Sequence, residues 1–170
     1  VSPTTAEAVQ EELSEYLGTE DLILDGGNSR VGVESTIIDC TGVAPRVLRL
    51  GAITEKNIES ISEIPVEEVG SENLIRVSGS LQSHYSPRAK VVLNVEPTSG
   101  EGFIALSAHE TPVGVIRLAS PSDIEDFASK LYEGLRLGDR LSLGRIVVKS
   151  PEGEGLAKAI RDRLSRAAST

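Results

Sequence analysis

The sequence predicts an α/β protein: two observations support this fold class, and a third marks a candidate domain boundary. From residue 90 to the C-terminus, short apolar runs alternate with helical patterns, which is typical of a layer with parallel strand pairs. Residues 25–51 contain two neighbouring strand-like runs bounded by Gly and Pro. Residues 63–73 are acidic and carry Pro and Gly, so we expect them to be exposed and irregular. The three parts that we expect, in chain order, are residues 1–64, a linker at 65–89 and a small domain at 90–170.

The first predicted helix runs from Pro3 to Leu17, because apolar side chains recur there at helical spacing. Ser2 is its predicted N-cap and Gly18 its C-cap. The free amides at this helix start could hold a phosphate beside the Ser2 hydroxyl, although capping alone explains a serine here and is the simpler interpretation. Leu22–Leu24 then predicts a short buried strand.

The central stretch of the chain follows a turn at Asp25-Gly26-Gly27. Its two apolar runs, Ser35–Asp39 and Arg46–Leu50, are predicted to be neighbouring strands. Arg49 needs an anion or solvent, since burying an unpaired cation is costly. Together with the hydroxyls of Ser35 and Thr36, Arg49 makes a candidate pocket for an anionic ligand. A plain β-meander with a solvated arginine remains the alternative.

The remaining chain predicts further helices and strands. A helix begins at Thr54 and ends near Pro65. Ser120 is the predicted N-cap of the helix that starts at Pro121. The predicted strands are Val91–Val95, Phe103–Leu106, Val113–Leu118 and Arg145–Val148, and the last two helices are Pro121–Arg136 and Gly155–Ala168.

The segment before this domain carries His84 next to Tyr85, although small and polar residues dominate around them. A tyrosine beside a histidine in an extended segment can lie across a ligand, by ring stacking or by donating a hydrogen bond. A linker whose Tyr85 docks into an apolar groove is an equal alternative. His109 is expected to be a solvated loop residue.

Charge and cysteine content restrict the partners that we expect. The net charge of −9 opposes nonspecific nucleic-acid binding, which depends on Lys and Arg at phosphates, so direct binding to DNA or RNA is not expected. The single cysteine, Cys40, cannot form an internal disulfide, which favours a reduced, cytoplasmic setting. We find no apolar run of membrane-spanning length, and no His or Cys spacing typical of a metal site.

Three sequence blocks resemble the threonylcarbamoyl-AMP synthases in their longer, two-domain form: SPTTAEAV, DGG…VGVESTIIDCTG…PRVLRLGAIT and SHYSPRAKV. The terminal GEGLAKAIRDRLSRAA is similar to the last helix of that family. The resemblance implies part of an α+β YrdC-like catalytic domain, a linker over the active site and a small Rossmann-like α/β domain. Because the chain starts at the SPTTA block, we expect it to be the C-terminal portion of such a protein, without synthase activity when alone.

The resemblance also implies a reaction and its substrates. L-threonine, bicarbonate and ATP would give threonylcarbamoyl-adenylate and pyrophosphate, with Mg²⁺ arriving on the ATP, for the modification of position 37 of tRNA by a downstream transferase machinery. By position, Ser2 would contact the nucleotide, Ser35 the threonine and Arg49 the phosphates, while Tyr85, with His84 beside it, would cover the ATP. The alternative is a non-catalytic module that binds a nucleotide or a partner.

Overall fold

A computed structural model of the protein describes residues 1–67, 77–78 and 86–169. Within these residues the fold is mixed α/β, as the sequence predicts, with four helices and two sheets. The elements in chain order are α1 (Ala6–Leu13), β1 (Ile37–Asp39), β2 (Arg46–Arg49), α2 (Glu55–Ser62), β3 (Lys90–Leu93), β4 (Gly102–Ile104), β5 (Ile116–Ala119), α3 (Ile124–Arg140), β6 (Arg145–Val148) and α4 (Leu156–Ala167).

The larger sheet has four parallel strands in the order β3-β6-β4-β5. The side chains along each strand alternate between two apolar clusters, because successive side chains of a strand point to opposite faces of the sheet. Ile146 and Val148 join the cluster that includes the inner faces of α3 and α4. Val147, between them, packs with Phe103 in a second cluster. The expected layer of parallel strands and helices is therefore confirmed.

The smaller sheet is the antiparallel hairpin of β1 and β2, in which Ile37 lies opposite Arg49. This hairpin confirms the two neighbouring strands predicted in the central stretch. Helix α2 follows it and begins where expected: Thr54 is its N-cap, and the Thr54 side chain forms a capping box with Asn57.

Several predicted boundaries were wrong. Thr5, rather than Ser2, caps α1, because the Thr5 hydroxyl accepts a hydrogen bond from the amide of Ala8 at 3.0 Å. The helix then ends at Leu13, well before the predicted C-cap at Gly18. Similarly, α3 is capped by Asp123 instead of Ser120 and continues to Arg140.

The predicted buried strand at Leu22–Leu24 is also wrong. These residues belong to no strand, and Leu22 and Leu24 are 85% and 89% exposed. A three-residue apolar run forms a strand only beside a partner strand, and none pairs with it among the described residues. The fifth strand lies later than predicted, at Ile116–Ala119, while Val113 is fully exposed.

The two sheets are joined by packing between the first part of the chain and the last two helices. Val1 and Val33 pack against the core cluster that contains Ile160 and Leu164 of α4. Asp139 of α3 accepts hydrogen bonds from the backbone amides of residues 88 and 89, both at 3.0 Å, and so fixes the chain where it enters β3. The domain limits expected at residues 64 and 89 stay a prediction.

None of the helices in the described ranges is both long enough and apolar enough to cross a membrane.

Candidate functional site

Arg49 and Ser35 come together at the end of the hairpin. The Arg49 Nε donates to the Ser35 carbonyl oxygen at 3.0 Å, and Nη2 donates to the Ser35 Oγ at 3.1 Å. Nη1 donates to the carbonyl oxygen of Ser78 at 2.9 Å. A guanidinium has five N–H donors, so these three bonds leave a second N–H on each Nη. The predicted proximity of the serine hydroxyl and the arginine is therefore present.

Close backbone packing holds these two residues opposite each other. A Cβ atom on Gly51 would lie under 3.0 Å from the backbone of residues 34–36, so only glycine allows this approach. The Thr36 hydroxyl donates to the carbonyl oxygen of Ile53 at 2.6 Å and ties the start of β1 to the chain that follows β2. The Thr36 hydroxyl, which the sequence places in a candidate anion pocket, therefore already has a structural partner.

A mainly apolar pocket of about 410 Å³ adjoins Ser35. The hydroxyls of Ser35 and Thr36 and the carboxylate of Glu34 are the polar side chains in its lining. The full lining is Val31, Val33, Glu34, Ser35, Thr36, Ile38, Ala52, Ile53 and Ile58. Such a pocket suits a small ligand that has both an apolar and a polar end.

Ser2 lies in a second cavity of about 210 Å³, which also includes Glu34, Ser29 and Tyr132. Glu34 thus lines both the Ser2 cavity and the Ser35 pocket. Burial, the largest single influence, raises the pKa of the Glu34 carboxyl, but the Ser2 hydroxyl and the Arg163 guanidinium together lower that pKa below its usual value. Glu34 is therefore a carboxylate at neutral pH.

Two side chains of the last helices hold this carboxylate. The Tyr132 hydroxyl of α3 lies 3.0 Å from each Glu34 carboxylate oxygen, and Arg163 Nε of α4 donates to Glu34 Oε2 at 2.7 Å. Arg163 is 1% exposed and also donates to the Leu50 carbonyl oxygen and to Asp162, each at 2.6 Å. Residues of α3 and α4 therefore hold the chain on both sides of the Ser35–Arg49 contact.

Sequence reasoning missed these residues, although a signal was present. Arg163 follows Ile160 by three positions, so the period of α4 places it on the inner, apolar face. A cation on such a face requires a buried anionic partner. The helical period alone does not identify Glu34 as that partner, because the two residues are 129 positions apart.

The predicted His84–Tyr85 pair lies outside the described residues. His109 is exposed in a loop, as expected. Within residues 1–67, 77–78 and 86–169, no three His, Cys, Asp or Glu side chains form a group that could hold a metal ion.

Comparison with protein families gives two matches. The family model described as Threonylcarbamoyl-AMP synthase, C-terminal domain, matches residues 53–169. The family model described as Telomere recombination matches residues 1–51.

Two threonylcarbamoyl-AMP synthases are similar over nearly the whole chain. That of Pyrococcus abyssi is 33% identical over 185 residues, covering 98% of this chain and 54% of the relative. That of Bacillus subtilis is 30% identical over 187 residues, covering 98% of this chain and 53% of the relative. The chain therefore spans about half the length of the curated relatives it matches.

Solved structures of P. abyssi Sua5 are also similar. The crystal structure of the protein complexed with L-threonine superposes with a TM-score of 0.78 at 29% identity, covering 98% of this chain and 54% of the other. A variant in which a histidine and the adjacent tyrosine are replaced by alanine superposes with a TM-score of 0.74 at 28% identity, covering 98% and 53%. These findings confirm the resemblance in the three sequence blocks: the chain belongs to the threonylcarbamoyl-AMP synthase family.

Proposed function

We propose that this chain supplies part of the substrate site of a threonylcarbamoyl-AMP synthase, which forms threonylcarbamoyl-adenylate and pyrophosphate from L-threonine, bicarbonate and ATP. The observation that carries the proposal is the contact of Arg49 with Ser35 at the end of the hairpin, in a chain of this family. The Ser35 hydroxyl would bind the amino acid, and the Arg49 guanidinium beside it would bind a phosphate of the nucleotide.

Threonine is assigned to the pocket beside Ser35. Its methyl group suits the apolar walls of this pocket, and its polar groups suit the hydroxyl at the edge. The similar P. abyssi structure holds L-threonine, which supports an amino-acid site in this chain.

The nucleotide is assigned to the residues around Arg49. The second N–H on each Nη of Arg49 would bind phosphate oxygens, because a guanidinium binds phosphate in a forked geometry. Ser2 would contact the nucleotide from the neighbouring cavity. His84 and Tyr85 would cover the ATP; the P. abyssi protein also carries a histidine next to a tyrosine, the two residues replaced in the variant.

The reaction requires positioning and charge neutralisation, with no side-chain nucleophile. The threonine amine attacks the bicarbonate carbon, and loss of water leaves a carbamate. A carbamate oxygen then attacks the α-phosphorus of ATP, and pyrophosphate leaves. Holding the two reactants in line, and stabilising the phosphate charge by Arg49, would lower the barrier to the second step.

The remaining partners follow from this chemistry. Mg²⁺ would arrive on the ATP phosphates and need few protein ligands. A tRNA-threonylcarbamoyl transferase machinery would consume the adenylate in the cytoplasm.

The test uses the natural polypeptide that contains this chain. Pyrophosphate release should require L-threonine, bicarbonate and ATP together. Ser35→Ala should raise the KM for threonine, and Arg49→Met should lower kcat/KM for ATP. Arg46→Met is the matched control, because Arg46 lies on the same strand but pairs with Asp39 at 3.0 Å.

Two results would contradict the proposal. One is pyrophosphate release that is independent of threonine. The other is calorimetric binding of threonine and AMP that neither Ser35→Ala nor Arg49→Met weakens, which would instead favour a binding module in the α/β domain.

A further inference from the structure

One buried arginine of the last helix contacts both arms of the hairpin that carries the proposed site. Arg163 Nε binds the carboxylate of Glu34, the residue before Ser35, at 2.7 Å. Its Nη2 binds the carbonyl oxygen of Leu50, the residue after Arg49, at 2.6 Å. A single guanidinium therefore links the positions next to both proposed substrate contacts.

The contacts of Arg163 with Glu34 and Leu50 also restrict how these two residues can move. Arg163 is 1% exposed and the Glu34 side chain 18% exposed, so solvent screens the ion pair only weakly. The Tyr132 hydroxyl holds the same carboxylate from α3, at 3.0 Å from each oxygen. The planar guanidinium, with its fixed directions of donation, leaves Glu34 and Leu50 little freedom to move relative to each other.

We propose that Arg163, assisted by Tyr132, is a positioning residue for the threonine site. It sets the spacing between Ser35 and Arg49 through their chain neighbours, without contacting substrate. The second part of the chain is then a component of the catalytic site rather than an appended module. This inference rests on the proposed function of Ser35 and Arg49.

The expected consequence is a change in catalysis, not only in stability. A displacement of about 1 Å, even one caused by a mutation far from the reacting groups, can cost about 100-fold in rate, so a small movement of the hairpin should be measurable. Docking alone would predict a less stable protein with unchanged kinetic constants once it is folded.

The experiment compares Arg163→Lys with Arg166→Lys in the natural polypeptide that contains this chain. Lysine keeps the charge at 163 but cannot donate to Glu34 and Leu50 together in the same geometry. Arg166 lies on the same helix, contacts Asp162 at 3.0 Å, and is the matched control. Thermal unfolding establishes the temperature at which both variants are folded, and kinetics are measured below it.

We expect Arg163→Lys to raise the KM for threonine about tenfold or more, with a smaller change in the KM for ATP. Tyr132→Phe should have the same pattern with a smaller effect, because it removes the neutral hydroxyl donor to Glu34 and leaves the charged Arg163 contact in place. Arg166→Lys should keep wild-type constants. A wild-type KM for threonine in folded Arg163→Lys would overturn the inference.

A second measurement separates this inference from the proposed function. Amide hydrogen exchange at residues 34–36 and 49–51 should be faster in Arg163→Lys than in Arg166→Lys, with unchanged exchange in β4. If the wild-type protein shows no threonine-dependent release of pyrophosphate, the proposed function fails. If exchange in the hairpin is also unchanged by Arg163→Lys, the positioning role fails as well.

Discussion

Gly32→Ala should be a sensitive test of the contact between the first part of the chain and helix α3. A Cβ atom on Gly32 would lie under 3.0 Å from the carbonyl oxygen of Ala128 and from the Cα of Ser129, both in the backbone of α3. Gly32 also has a φ of +73°, in the left-handed region. Gly32→Ala therefore adds both a backbone strain and a steric clash with a helix that cannot easily move.

The control is Gly27→Ala, because Gly27 has a similar φ of +84° and no atom lies within 4 Å of the place that its Cβ would take. Alanine in a left-handed conformation costs about 1–2 kcal/mol at either position. Overpacking against α3 adds about 1–3 kcal/mol for Gly32→Ala only. The free energy of unfolding should thus fall by about 2–5 kcal/mol for Gly32→Ala, and by about 1–2 kcal/mol for the control.

Urea unfolding and thermal melting of both variants measure this difference. For a chain of this size, each 1 kcal/mol shifts the melting temperature by about 2–4 °C, so the excess should be readily resolved. Faster amide exchange in the hairpin of Gly32→Ala would locate the loss at the contact with α3. Equal destabilisation by the two substitutions would refute the reasoning, since the clash would then contribute nothing.

Two further predictions concern the Glu34 carboxylate and Arg117, a half-buried arginine of β5. The lowered pKa of Glu34 makes its stabilising contribution complete above its unfolded pKa of about 4.3 and lost as the pH falls through the lower folded value. The urea midpoint of wild type should therefore approach that of Glu34→Gln as the pH falls below about 4.3. A constant gap between the two midpoints would contradict this. Arg117 donates to the carbonyl oxygens of Ala105 and Ala119 at 2.6 and 2.8 Å and lies 4.9 Å from the ring centroid of Phe103. Arg117→Lys should therefore lower the free energy of unfolding by about 1–3 kcal/mol in urea titrations. An unchanged urea midpoint would show that lysine replaces these contacts.

Local sequence patterns predicted much of the fold. The alternation of β-branched runs and helical periods after residue 90 predicted the parallel layer, because each pattern follows from one face of an element being buried. Thr54 was predicted as the start of a helix, and the structure adds that its hydroxyl and Asn57 form a capping box within one turn. Ser35 and Arg49 were predicted to lie in one pocket because a hairpin brings its two ends together.

The errors at Leu22–Leu24 and at two helix starts have different causes. Leu22–Leu24 has the composition of a strand, yet pairing and burial require a neighbour that no local pattern supplies. The two cap errors have local causes instead. Ser2 and Thr5 both carry hydroxyls suitable for a cap, but it is Thr5 that accepts a hydrogen bond from the amide three residues on, that of Ala8. Likewise, the Asp123 carboxylate accepts a hydrogen bond from the Asp126 amide at 2.8 Å and caps α3 in place of Ser120.

By itself, the sequence determined the fold class, the hairpin and the residue types of the proposed site, because these follow from patterns among residues near each other in the chain. Only the tertiary structure decided that Arg163 and Tyr132 hold Glu34 between the Ser2 cavity and the Ser35 pocket. The physical reason is that a buried arginine requires an anion, but only packing of α3 and α4 against the hairpin determines which carboxylate is near enough to provide it.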